Sequence, residues 1–185
     1  IMFRPKIQKT SVLVYMAIVS AILVFVVSKS LRYIDDYNIE NKFKAVDMMS
    51  KCISAISNIN DLDISDNDYY ETGLIGKDKS SITTISNELN LLNMLNSKIA
   101  TTHPNFAAFI IELFEELQLK SGDKIALAMS GSFPGANIAV LAACNTLEIE
   151  PVIISSLSAS AWGANKENFS WLDIESYLYK NKLFN

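Results

Sequence analysis

Hydrophobic positions change their spacing several times along this chain, and each change marks an element. Residues 11–28 carry no charge and are almost wholly Val, Ile, Leu, Ala, Phe and Met, with Tyr15 and Ser20 the main polar interruptions. Such a run predicts a helix without a polar face, and at 1.5 Å per residue it spans about 27 Å, close to the hydrocarbon thickness of a bilayer. After it, Ile39, Phe43, Val46, Met49, Ile53 and Ile56 recur at steps of three and four, the period of an amphipathic stalk or packing helix. A further helix is expected from Ser86 through Leu89, Leu92, Leu95 and Ile99. Thr101-Thr102-His103-Pro104-Asn105 breaks it, and Pro104 suits the first turn of the next helix because its missing N–H costs nothing there. Phe106, Phe109, Ile110, Leu113, Phe114 and Leu117 are that helix's expected buried stripe.

From Lys124 the period shortens. Residues 125–129 and 152–156 read as short apolar strands buried on both faces, joined through an almost uniformly apolar helix at 136–147 that needs cover on more than one side. Strand, crossover and strand predict a parallel pair. Pro151 opens the second strand where no ladder donor is needed. Ser170-Trp171-Leu172-Asp173 is a capping-box variant ahead of a last helix. The expected fold class is therefore α/β, with a transmembrane helix and helical stalk before a partial Rossmann-like parallel-sheet domain. The boundaries are a basic tail at 1–10, the membrane helix at 11–28, stalk and acidic loop at 29–78, and the α/β domain at 79–185. Because two strands cannot make a parallel sheet covered on both faces, further strands are expected from a C-terminal continuation or a partner chain.

Composition alters this picture at three points. Among 185 residues, half are hydrophobic and the net charge is −4, which argues against nucleic acid because no basic patch is present. Arg4, Lys6 and Lys9 precede the apolar run, whereas Lys29 and Arg32 follow it. That margin favours a single-pass protein of the cell (inner) membrane with its soluble part outside the cytoplasm. Cys52 and Cys144 form no disulfide framework, and Cys144 reads as helix packing. The acidic loop of Asp61, Asp63, Asp66, Asp68 and Glu71 tempts a calcium assignment, but Asp66 and Thr72 stand where an EF-hand loop needs Gly and Glu. It is expected to be a solvated loop. No metal site and no cofactor is expected.

Candidate chemistry gathers at the two strand ends. Ser130, Gly131 and Ser132 follow the first strand, and Ser160, Trp162, Gly163 and Asn165 follow the second. In open α/β sheets ligands bind beyond the carboxyl ends of strands and beside helix N-termini. These seven residues are the expected ligand-binding set, suited to an anionic guest. A P-loop would need Gly-Lys-Ser/Thr, a dinucleotide site Gly-x-Gly-x-x-Gly, and a hydrolase elbow Gly-x-Ser-x-Gly; none is present, and Ala128-Met129-Ser130-Gly131-Ser132 only loosely copies the last. A serine hydrolase would have to combine Ser130 with His103, the single histidine, and Asp173.

Taken in order, Asn105-Phe106-Ala107-Ala108, Ser130-Gly131-Ser132-Phe133-Pro134, Asn137-Ile138-Ala139, Ser155-Ser156, Ser160-Ala161-Trp162-Gly163-Ala164-Asn165 and Trp171-Leu172-Asp173 resemble the poly-gamma-glutamate system protein family. Gly73-Leu74-Ile75-Gly76, Ile82-Thr83-Thr84 and the N-terminal anchor fit as well, so the resemblance covers most of 70–178. It implies a membrane-anchored accessory protein of bacterial poly-γ-glutamate (capsule polymer) synthesis or export, working beside the bilayer with other membrane proteins of the synthase complex. It carries over no catalytic residues. The expected alternatives are a serine-dependent hydrolase or transferase acting on the polymer, and a structural subunit whose helix 136–147 packs on a membrane partner.

Overall fold

The computed structural model describes residues 9–30, 38–59, 64, 66–76, 81–84 and 91–184, with no statement of side chains for 91–93. It divides into two units, Ile1–Tyr37 and Asn38–Asn185. In the first, helix α1 (Thr10–Ser30) runs 21 residues and buries no side chain within its own unit. Its C-terminal hydroxyls are satisfied inside the helix: Ser28 Oγ donates to Phe25 O and Ser30 Oγ to Val27 O. The helix is long and apolar enough to cross a membrane, a property that an N-terminal signal sequence can share.

The second unit is built around helix α5 (Pro134–Leu147). Ile138, Ala139, Leu141, Ala142, Ala143 and Cys144 are all buried, so the expected all-round cover is supplied by the same chain. Helices α2 (Ile39–Ser57), α3 (Leu91–Thr102) and α4 (Asn105–Glu116) pack on α5, which also touches the strands. The segment expected as a stalk is thus part of this unit: α2 buries Ala45, Met49, Cys52, Ile53 and Ile56 against α4 and α5. Only its first turns keep apolar groups outside, with Phe43 at 68% exposure. Helix α4 is rotated from expectation. Ala107, Ile110, Ile111 and Phe114 are buried, whereas Phe109, Leu113 and Leu117 are exposed. Ala107 is fully buried in the core, where a larger side chain would need space that close packing does not leave, and α4 packs on both α2 and α5.

Strands β2 (Lys124–Ser130) and β3 (Glu150–Ser156) pair in parallel, in register from Lys124 with Glu150 to Ser130 with Ser156. The expected parallel pair is present, but burial on both faces is not. Ile125, Leu127, Met129 and Ile153 pack towards the core, while Ala126, Ala128, Val152 and Ile154 point outwards, Ile154 at 77% exposure. Two other pairs are separate: β1 (Thr83–Thr84) runs parallel to β4 (Ala159–Ser160), and β5 (Asn165–Lys166) forms a hairpin with β6 (Phe169–Ser170). The unit is therefore mixed α/β with short strand pairs.

Helix α6 (Trp171–Lys180) starts as its capping box specifies, with Asp173 Oδ2 accepting from Ser170 N–H at 2.9 Å and Ser170 Oγ at 2.7 Å. Trp171, Ile174 and Leu178 bury its inner face. Asp61 and Asp63 of the acidic loop lie outside the described residues; Asp66 and Glu71 are exposed as expected of a solvated loop, and of the described acids there Asp68 alone departs from that reading. It is buried and accepts from Thr72 Oγ1 and Gly73 N–H, pinning the turn at Gly73, whose φ is +70°. Cys52 and Cys144 are both buried free thiols, and burial pushes them up to about 12 and about 11.

Candidate functional site

The parallel register brings the turns after β2 and β3 side by side, and the two then interlock. Gly131 N–H donates to Ser158 O at 3.2 Å, and Gly131 O accepts from Ala164 N–H at 2.7 Å. Gly163 lies so close that a Cβ there would run into Gly131 O. Ser132 Oγ accepts from Ser160 N–H at 3.0 Å, and Ser130 Oγ accepts from Ser132 N–H at 3.3 Å. Asn137 Nδ2 ties α5 to the turn by donating to Ser130 O at 2.9 Å. Gly163 N–H donates to Ser160 O, closing a turn in which Trp162 adopts φ +65°. Asn165 is buried, and its side chain fills the space where Gly76 would carry a Cβ.

Sequence reasoning thus placed Ser130, Gly131, Ser132, Ser160, Gly163 and Asn165 in one neighbourhood, but misjudged the free donors there. Gly131 spends both backbone groups on the neighbouring turn. The first turn of α5 is also closed. Pro134 and Gly135 are buried, and a Cβ on Gly135 would lie 2.6 Å from Thr101 O at the end of α3. The negative end of α3 meets the positive end of α5, so the dipole expected to hold an anion is opposed within the fold.

What the sequence did not flag is Lys98. The spacing Leu95, Lys98, Thr102 sets it on the inner face of α3, where all three are buried, Lys98 at 1% exposure. Its Nζ lies 2.6 Å from Ser160 Oγ and 2.6 Å from Ala161 O, and 5.3 Å from the centre of the Phe133 ring. Among the described residues no carboxylate pairs with it. Loss of hydration without a compensating anion brings the ammonium down to about 8. The signal was available in the three- and four-residue spacing from Leu95, but a lysine on a helix ordinarily means solvent.

The serine, histidine and aspartate suggested as a triad are each engaged locally. His103 Nδ1 accepts from Asn105 N–H at 3.1 Å, and its ring meets Tyr70 edge-on at 5.0 Å. Asp173 serves the α6 cap, and Ser130 Oγ its own turn. No hydrogen bond among the described residues joins the three. The His/Cys/Asp/Glu side chains of the described residues form no cluster able to hold a metal. No protein-family profile, curated protein or solved structure matches this chain.

Proposed function

We propose that this chain is a membrane-anchored accessory component of a poly-γ-glutamate synthesis or export system. Its α/β unit would lie outside the cytoplasm and bind a carboxylate-bearing ligand beside Lys98, Ser132 and Ser160. The observation that carries the ligand class is a buried lysine whose charge meets hydroxyl, carbonyl and ring, and no acid among the described residues. An uncompensated buried cation is costly, and an incoming carboxylate offsets that cost through a charge-assisted bond. Ser132, Phe133 and Trp162, each partly buried, are the more exposed residues of the same two turns. The polymer itself rests on the sequence resemblance, and the anchor on α1.

The test is titration of the full chain in detergent with poly-γ-glutamate, followed by calorimetry, with an uncharged polymer as control. Lys98→Met should abolish binding, and Trp162→Ala should weaken it. Equal affinity of wild type and Lys98→Met would remove the ligand assignment. A structural-subunit role is favoured by a different observation, the open apolar face of Val152 and Ile154. Most of helix α5, the segment first expected to carry that role, is buried within this unit. Loss of co-purification with synthase membrane proteins on Ile154→Lys would favour the structural role.

A further inference from the structure

We propose that Ser160 and Lys98 form a nucleophile–base pair for acyl transfer, acting on a carboxamide or ester carbonyl. Nothing in this proposal depends on the polymer's identity. A serine hydroxyl becomes a nucleophile when a neighbouring base removes its proton, and lysine can be that base when it is buried away from acids. Both conditions are met. Lys98 Nζ lies 2.6 Å from Ser160 Oγ, within the reach required of a general base. The segments it touches at Phe133, Ser160 and Ala161 (131–137 and 159–164) and the rest of α3 contain no other titratable side chain. Among the described residues no ion pair fixes its positive charge. Desolvation alone lowers its proton affinity, to about 8.

The second contact of Lys98 orients the pair. A neutral amine has two hydrogens and one lone pair. Ala161 O can only accept, so it takes one hydrogen at 2.6 Å and leaves the lone pair for the hydroxyl of Ser160. Ser160 is held from both sides, its N–H donating to Ser132 Oγ and its carbonyl accepting from Gly163 N–H. When Lys98 becomes protonated, the face of Phe133 at 5.3 Å stabilises the new cation.

The steps balance without a co-reactant other than water. Lys98 takes the Ser160 proton as Oγ bonds to the substrate carbonyl carbon. The bond to the leaving nitrogen or oxygen breaks as Lys98 returns that proton to it, leaving an acyl-serine. Lys98 then deprotonates water, whose oxygen attacks the acyl carbon. The Oγ–C bond breaks, Oγ recovers a proton from Lys98, and a carboxylic acid is released.

The experiment is labelling of the full chain in detergent with a biotinylated fluorophosphonate, located by peptide mass mapping. Ser160 should be the modified residue, and the labelling rate should rise about tenfold between pH 7 and pH 9 as Lys98 loses its proton. Lys98→Arg keeps the charge and the donors but cannot act as a base, and should slow labelling about a hundredfold or more. A thermal melt matching wild type shows that this variant is folded, and Lys98→Met provides a second variant for the same readout. Absence of label on Ser160 at pH 9, or equal labelling in folded Lys98→Arg, overturns the proposal and marks the contact as structural. Labelling needs no polymer, so its failure and a failure of poly-γ-glutamate binding are separate results.

Discussion

Replacing Lys98 by Met changes how stability depends on pH more than it changes stability at neutral pH. In the unfolded chain this lysine titrates at its ordinary 10.5, and in the folded unit at about 8. Between those values the unfolded state binds more protons, so stability rises with pH. Below about 8 both states are protonated and the burial cost is present in full, about 3 kcal/mol at 1.36 kcal/mol per pH unit. From pH 7 to pH 9 the wild type should recover about 1 kcal/mol of it. Lys98→Met removes the burial cost but leaves Ala161 O unpaired, a loss of about 1–3 kcal/mol, so the two changes nearly cancel at pH 7. The thiols work the other way. Held well above their usual value, Cys52 and Cys144 cost stability as the pH passes about 9, when the unfolded thiols ionise. They do so equally in both proteins, and subtraction removes them. In thermal melts of the two proteins in detergent, followed by Trp162 and Trp171 fluorescence, the wild-type Tm should rise relative to that of Lys98→Met by about 2–4 °C between pH 7 and pH 9. Parallel pH curves would show that Lys98 is not titrating from a buried position.

Three further outcomes test the surrounding fold. Gly163→Ala drives a methyl into Gly131 O and should destabilise the unit by about 1–3 kcal/mol or prevent folding, read as a lower Tm or loss of soluble protein. Asp173→Ala removes the acceptor for both Ser170 donors at the start of α6 and should cost about 1 kcal/mol in denaturant unfolding, with Asp173→Asn recovering part of it. Ile154→Lys lies on the open sheet face and should change unfolding free energy by less than about 0.5 kcal/mol, which would distinguish an uncovered face from one that another chain covers in the sample.

Local periodicity was enough for much of this architecture. Strict threes and fours gave α2 and α4, the apolar run gave α1, and Ser170 with Asp173 marked the start of α6, because these signals are contained within one turn or one helix. The crossover pattern was also sufficient to bring Ser130–Gly131–Ser132 beside Ser160 and Gly163, since a parallel register leaves both turns at the same end. Which side of a helix is covered is another matter. Ala107 and Ile111 face inwards, displacing Phe109 and Leu113, because α2 and α5 approach α4 from directions that the α4 sequence does not encode.

By itself, then, the chain's order of residues determined the helices, the parallel pair β2–β3 and the meeting of its two serine-bearing turns. Only tertiary packing decided that those turns close on each other, that the end of α3 blocks the start of α5, and that Lys98 faces inwards onto Ser160. The physical reason is that hydrogen-bond periods act over a few residues, whereas desolvation and charge pairing depend on which distant segments exclude water from the same few ångströms.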